Sequence, residues 1–324
     1  MLKKISAVLI PTIIAVGIIG YMLARVWDDL LLALEHAVYS YLIVAVVICA
    51  AAWMLRGARY RYILKNLEIE ADIWLSTACI YVSQTANLII PARLGDLVRL
   101  FILKHEVNAT YSNGLSSLVV ERFFDIILVA VLGAVSLPFV LNVPDWFIAV
   151  IILPIVAGGV FILFVLYSVR LKSENKYLKI CLDLLDEVKK ASLNPRALAL
   201  LSISSIVIWI MDVVICMVIA MMFGQEIPFA VIVLAIVIGN LVKAVPVTPG
   251  GVGTYELSVA LTLELSGIMP AVATLIAVID HLVKNLVTLA GGVVSMYFFG
   301  DWSVQLVKRA FSRGLDTGDL KIEP

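Results

Sequence analysis

Pro249-Gly250-Gly251-Val252-Gly253-Thr254-Tyr255-Glu256 interrupts an apolar stretch that begins at Pro228 and runs to Leu265. A second interruption, Pro91-Ala92-Arg93-Leu94-Gly95-Asp96, breaks the stretch from Ile73 to Leu103. In both, a glycine lies four residues after a proline and a carboxylate follows shortly. Proline removes a backbone donor and glycine frees the dihedrals, so each run reads as a helix broken near its middle. Such a break leaves backbone groups unpaired, and at membrane depth only protein or a wet cavity can satisfy them. Each stretch is therefore expected to be a helical hairpin that re-enters the membrane rather than crossing it.

The rest of the chain makes lipid the solvent. Of 324 residues, 62% are hydrophobic and 15% charged, and mean hydropathy is +1.06. A soluble domain carries roughly 45–50% apolar and about 25% charged residues. A bilayer-spanning helix needs about 20 mostly apolar residues. Six full spans satisfy this: Ile5–Trp27, Val38–Leu55, Leu115–Leu141, Phe147–Val169, Ala197–Phe223 and Met269–Phe299. The first is too long for the apolar core of a signal peptide and has no small-residue cleavage site after it. Alternating strand-length segments, which a β-barrel requires, do not occur. The fold class is thus an all-α polytopic membrane protein, a single domain over residues 1–324 with about six spans and two broken re-entrant hairpins.

Basic residues orient it. The 24 Lys and Arg balance 24 Asp and Glu, which leaves no bulk basic surface for nucleic acid. With the N-terminus inside, all basic residues except Arg25, Arg122, Lys243 and Lys284 fall on the cytoplasmic side, so the positive-inside rule selects N-in, C-in in the cytoplasmic membrane. The external loops are then short, Asp28–Glu35 among them. Residues 170–196 carry apolar positions at helical spacing and form either a helix on the cytoplasmic membrane surface or a connector packed on the bundle. Residues 300–324 are a cytoplasmic tail. The four cysteines are scattered without a CxxC pair, so neither a metal nor another cofactor is expected.

The two broken segments belong to a repeat. Each follows a full span, and each is followed, 30 or 31 residues after its proline, by charge in the next span: Glu121-Arg122 with Asp125, and Asp280-His281 with Lys284. The unit over 38–141 has its hairpin between two inside ends, and the unit over 197–299 between two outside ends. They are therefore inverted, an arrangement that places a binding site at the membrane midplane in transporters.

Pro91-Ala-Arg-Leu-Gly-Asp-Leu-Val-Arg99, Val120-Glu-Arg-Phe-Phe-Asp125 and Pro246-Val-Thr-Pro-Gly-Gly-Val-Gly-Thr-Tyr-Glu256 together resemble the flippase-like membrane family typified by the transmembrane region of lysylphosphatidylglycerol synthase. The resemblance implies a lipid translocase-like domain acting on aminoacylated phospholipids or related lipid-linked head groups. Asp96 departs from the glutamate often found in the first motif. No room remains after Phe299 for an aminoacyl-transfer domain, so a separately encoded lipid-modifying enzyme or glycosyltransferase is the partner this resemblance implies.

Intramembrane charge is expensive, about 2.5–3.5 kcal/mol per residue at a helix centre, and marks candidate sites. Arg122 and Asp125 are spaced to pair, leaving Glu121 free, and Asp280 precedes Lys284 by four. These charges either bind substrate or only bridge helices. At the second break, Thr248 and Thr254 read as helix-start residues. Gly250, Gly251 and Gly253 expose backbone N–H groups suited to a phosphate or carboxylate. Arg93, Arg99 and Lys243 add charge-assisted contacts. Asp96 and Glu256 either cap the helices or neutralise an ammonium. Three functions follow: a lipid translocator without covalent chemistry, a secondary transporter of a small organic anion, or an intramembrane enzyme. No HExxH, nucleophile elbow, P-loop or DxD cluster supports the third.

Overall fold

The computed structural model describes residues 2–140, 143–168, 171, 175–245 and 247–305. Among these the regular structure is helical throughout. The helices are α1 (Leu2–Arg25), α2 (Trp27–Glu35), α3 (Ser40–Asn66), α4 (Ile73–Ile89), α5 (Val98–Val107), α6 (Tyr111–Ser136), α7 (Asp145–Ser168), α8 (Lys176–Ser192), α9 (Pro195–Met222), α10 (Phe229–Ala244), α11 (Thr254–Leu265) and α12 (Pro270–Phe299). Short 3-10 turns at Pro91–Leu97 and Pro249–Gly251 lie in the gaps between α4 and α5 and between α10 and α11.

The outer surface identifies the solvent. Leu153 and Leu163 on α7 are 71% and 68% exposed, while Arg99, Asp280 and His281 are buried inside. Water would reverse that pattern, so the exposed apolar faces are those lipid covers. Among the described residues four helices, α3, α7, α9 and α12, are long and apolar enough to cross a membrane. Of the other two expected spans, α6 carries Glu121, Arg122 and Asp125 in its middle, which lowers its apolarity. Pro11–Arg25 of α1 is apolar as well.

Two boundaries differ from the sequence reading. The span expected to stop at Leu55 continues as α3 to Asn66, because Arg59, Tyr60, Ile63 and Leu64 are buried against neighbouring helices. Arg56 and Arg59, counted as cytoplasmic, thereby point inward. The loop expected at Asp28–Glu35 lies within α2, whose Leu30 packs with Val26, Ala271 and Leu275. Between residues 170 and 196, α8 docks on the bundle: Val188 and Ala191 are buried, and Glu187 accepts from Ser112 at 3.0 Å and Ser116 at 2.6 Å. Leu178 and Ile180 of α8 stay exposed. Most of the expected tail lies outside the described residues.

The bundle has two ends. At one, the Val38 amide donates to the Met222 carbonyl at 2.9 Å, and Arg25 pairs with Glu264 at 3.0 Å. At the other, Asn66 donates to the Ala191 carbonyl, and His105 stacks on Trp302 at 4.0 Å. The α4–α5 hairpin opens at the His105 end and the α10–α11 hairpin at the Glu264 end. Their turns meet between.

Candidate functional site

At the first turn, Ile90 is extended and Arg93 sits in the left-handed region at φ 55°. At the second, Gly250 and Gly251 take φ 62° and 77°. A Cβ on Gly250 would lie 2.9 Å from Leu88 Cδ2, and one on Gly251 would lie 2.5 Å from Lys243 Cγ, so glycine sets how closely the turns approach. Arg93 Nη2 donates to the Lys243 carbonyl at 3.3 Å, a direct bond between the two turns.

Behind the first turn, three arginines meet three carboxylates. Arg99 is wholly buried, bonded to Glu121 and to Ser83 Oγ at 3.0 Å, with Asp96 at 3.6 Å. Arg59 donates to Asp125 at 2.6 Å and to Ser205 at 2.7 Å, and lies 3.8 Å from Glu121. Arg122 grips Asp96 at 2.8 Å, and Asn87 and Gln84 donate to the same carboxylate at 2.8 and 2.9 Å. Two sequence readings change here. Arg122 turns to Asp96 and leaves Asp125 at 4.0 Å, and Glu121 is held by Arg99 rather than free. The reason is tertiary: the hairpin brings Asp96 and Arg99 against α6, and a buried carboxylate is stable only when paired and hydrogen-bonded.

The second turn is organised by α12. Lys284 pairs with Asp280 at 2.8 Å, Tyr255 donates its hydroxyl to Asp280 at 2.6 Å, and Arg56 pairs with Asp212 at 2.7 Å. Lys243 Nζ stands 2.9 Å from His281 Nε2, and His281 Nδ1 stands 2.7 Å from Glu256. With Lys243 as an ammonium, which only donates, Nε2 accepts and Nδ1 carries the proton directed at Glu256. The other Glu256 oxygen accepts from the Gly253 amide at 2.7 Å. Gly253, not a threonine, is therefore the cap of α11, and Glu256 satisfies the helix start internally. Thr254 donates to the Gly251 carbonyl instead.

Between the turns lies a cavity of about 170 Å³, bounded by α3, α4, α6, α9, α10 and α12 with both turns. A water needs roughly 10–15 Å³ by such a measure, so there is space for a head-group phosphate with several waters. Arg93 and Lys243 both line it, and among the described residues neither makes an ion pair.

Known proteins bear on this arrangement. The family described as the lysylphosphatidylglycerol synthase TM region matches over residues 8–292. The chain belongs to that family. It is 34% identical over 299 residues to the glycosyltransferase AglD of Haloferax volcanii, covering 78% of this chain and 48% of AglD. The chain thus spans about half the length of that relative. It is 26% identical over 224 residues to a UPF0104 membrane protein of Methanocaldococcus jannaschii, covering 65% of this chain and 92% of the relative. A UPF0104 membrane protein of Methanothermobacter thermautotrophicus is 23% identical over 300 residues, with 83% of this chain and 86% of the relative covered.

In this family member, the residues singled out from sequence divide into two groups. Arg93, Glu121, Arg122, Lys243, Gly250, Gly251 and Lys284 line the cavity. Asp96, Arg99 and Asp280 stand behind it as partners of lining residues or of one another, and Glu256 reaches Lys243 through His281. Gly253 faces away, where a Cβ would lie 3.1 Å from the Ala15 carbonyl and from Ile18. The sequence reading missed Arg56, Asp212 and Trp209, all on the cavity wall. Asp212 carried a signal, a lone carboxylate within the apolar run of α9. Arg56 carried none, because its place in a basic cluster after an apolar run reads as a cytoplasmic flank.

Proposed function

We propose that the protein is a flippase-like translocator that moves an anionic or aminoacylated phospholipid, or another lipid-linked head group, across the cytoplasmic membrane without covalent chemistry of its own. The observation that carries this reading is the cavity between the two turns, which Arg93 and Lys243 line without a carboxylate partner of their own among the described residues. Backbone broken at membrane depth is tolerated where it lines such a cavity, and paired broken helices hold substrate sites in transporters. The two hairpins then belong to inverted units over 38–141 and 197–299. The end carrying α8 faces the cytoplasm, which puts most basic residues on that side.

Any covalent modification of the lipid is assigned to a separate enzyme. The name glycosyltransferase belongs to a relative twice as long as the match, so it does not by itself transfer a catalytic activity here. The same cavity also suits a secondary transporter of a small organic anion, since discontinuous helices build such sites. The experiment is lipid translocation in proteoliposomes, following acyl-labelled tracers between leaflets. Protein-dependent movement that varies with head group is expected. Tracers that stay in their leaflet at the protein-free rate would sink the lipid reading, and uptake of a soluble organic phosphate by the same vesicles would replace it with the second.

A further inference from the structure

Seven cations surround the cavity or stand directly behind it: Arg56, Arg59, Arg93, Arg99, Arg122, Lys243 and Lys284. The carboxylates there are six, and each is already engaged. Asp96 is held by Arg122, Asn87 and Gln84, and Glu121 by Arg99. Asp125 is held by Arg59, Asp212 by Arg56, Asp280 by Lys284 and Tyr255, and Glu256 by His281 and the Gly253 amide. Seven cations against six carboxylates leave one net positive charge, and the cations without a direct carboxylate are Arg93 and Lys243, whose polar contacts are a backbone carbonyl and the His281 imidazole that links Lys243 to Glu256.

Resting on the lipid reading and narrowing it to its anionic branch, we infer that the cavity selects a head group whose net charge is negative at its phosphate and rejects one that carries a free ammonium, aminoacylated phospholipid included. The recognising groups are the Arg93 guanidinium, the Lys243 ammonium and the Trp209 indole N–H.

Three observations support this choice of ligand. The Trp209 Nε1–H is buried without an acceptor, on a residue that lines the cavity. A buried donor of this kind is ordinarily satisfied, and the indole is placed to turn to a ligand oxygen in the cavity. Arg93 holds a left-handed backbone that glycine or asparagine would adopt at less cost, so the position keeps arginine despite strain. A phosphodiester presents anionic oxygens that only accept, matching a guanidinium fork, an ammonium and an indole N–H. The exclusion of ammonium follows from the same accounting. Among the described residues the cavity is lined by five cations, Arg56, Arg93, Arg122, Lys243 and Lys284, against three carboxylates, Glu121, Asp125 and Asp212, so an incoming ammonium meets a net positive field. Rejection is electrostatic rather than steric.

The full chain in phosphatidylcholine vesicles tests this with acyl-labelled phosphatidylglycerol and its lysyl ester as paired tracers, and with labelled glycerol 3-phosphate outside. Phosphatidylglycerol should cross at least tenfold faster than its lysyl ester. Arg93→Gly, which relieves the backbone, and Lys243→Gln should each slow phosphatidylglycerol tenfold or more while the purified variants keep their elution profile and helical spectrum. Should either fail to fold, the ratio between the two tracers in the parental protein decides alone. Lysyl ester moving as fast as its parent lipid, or Arg93→Gly keeping the parental rate, overturns the inference and leaves translocation standing. Both tracers static overturns the lipid reading with it. Uptake of glycerol 3-phosphate alone upholds the anion chemistry and removes the lipid.

Discussion

The first hairpin turns through Pro91–Leu97 with an arginine in the left-handed region, and packs three arginines against three carboxylates from α3, α5, α6 and the turn itself. The second turns on Gly250 and Gly251, and what lies behind it is a hydrogen-bonded line from Lys243 through His281 to Glu256. The first is locked by charge, the second by close backbone approach. A buried ion-pair cluster resists loss of any member, because the remaining partner is stranded in low dielectric. A glycine turn has no charge to strand and is sensitive to volume instead. The two halves of one cavity wall should therefore fail in different ways.

The largest difference is expected at Glu121. Glu121→Gln leaves the wholly buried Arg99 without its main partner and should cost about 3–5 kcal/mol. Thermal unfolding of the detergent-solubilised protein would measure it, and a loss under 1 kcal/mol would show that Asp96 alone suffices. On the other side, Gly251→Val forces a branched side chain into φ 77° with its Cβ 2.5 Å from Lys243 Cγ. That should cost about 2–4 kcal/mol. If Gly251→Val unfolds at the parental temperature, close approach is not what holds the second turn.

Asp280→Asn gives the middle case. Lys284 loses its carboxylate but keeps the Asp212 carbonyl at 3.3 Å and the Tyr255 hydroxyl at 3.4 Å, and its side chain is 16% exposed. The expected loss is about 1–3 kcal/mol, below that of Glu121→Gln, because the ammonium can still be solvated from the cavity. A loss equal to that at Glu121 would erase the contrast between the two networks. The smallest effect has the opposite sign. Arg93→Gly relieves a left-handed arginine without breaking an ion pair and should raise stability by about 1 kcal/mol. A destabilised Arg93→Gly would mean that its bond to the Lys243 carbonyl outweighs the backbone strain.

Composition and run length were enough to say that the chain lives in lipid and is built of helices, and that two apolar runs break at Pro91 and Pro249. Those are consequences of run length, composition and backbone chemistry, which are local. Several of the cavity charges were legible too, because a charged residue inside an apolar run stands out whatever surrounds it. What the sequence could not determine was pairing. Arg122 has Asp125 three residues away, yet binds Asp96 at 2.8 Å, because the turn carries Asp96 across to α6. Spacing along one helix is legible, but a partner supplied by another helix is not. The same limit hid Arg56, whose basic neighbours read as a cytoplasmic flank until the extended α3 turned it toward Asp212. It also gave Glu256 an open role, where the fold spends both its oxygens on Gly253 and His281. Which cations stay unmatched, and hence what the cavity can hold, is a property of the assembled bundle, because a charge is free only once every possible partner has been placed.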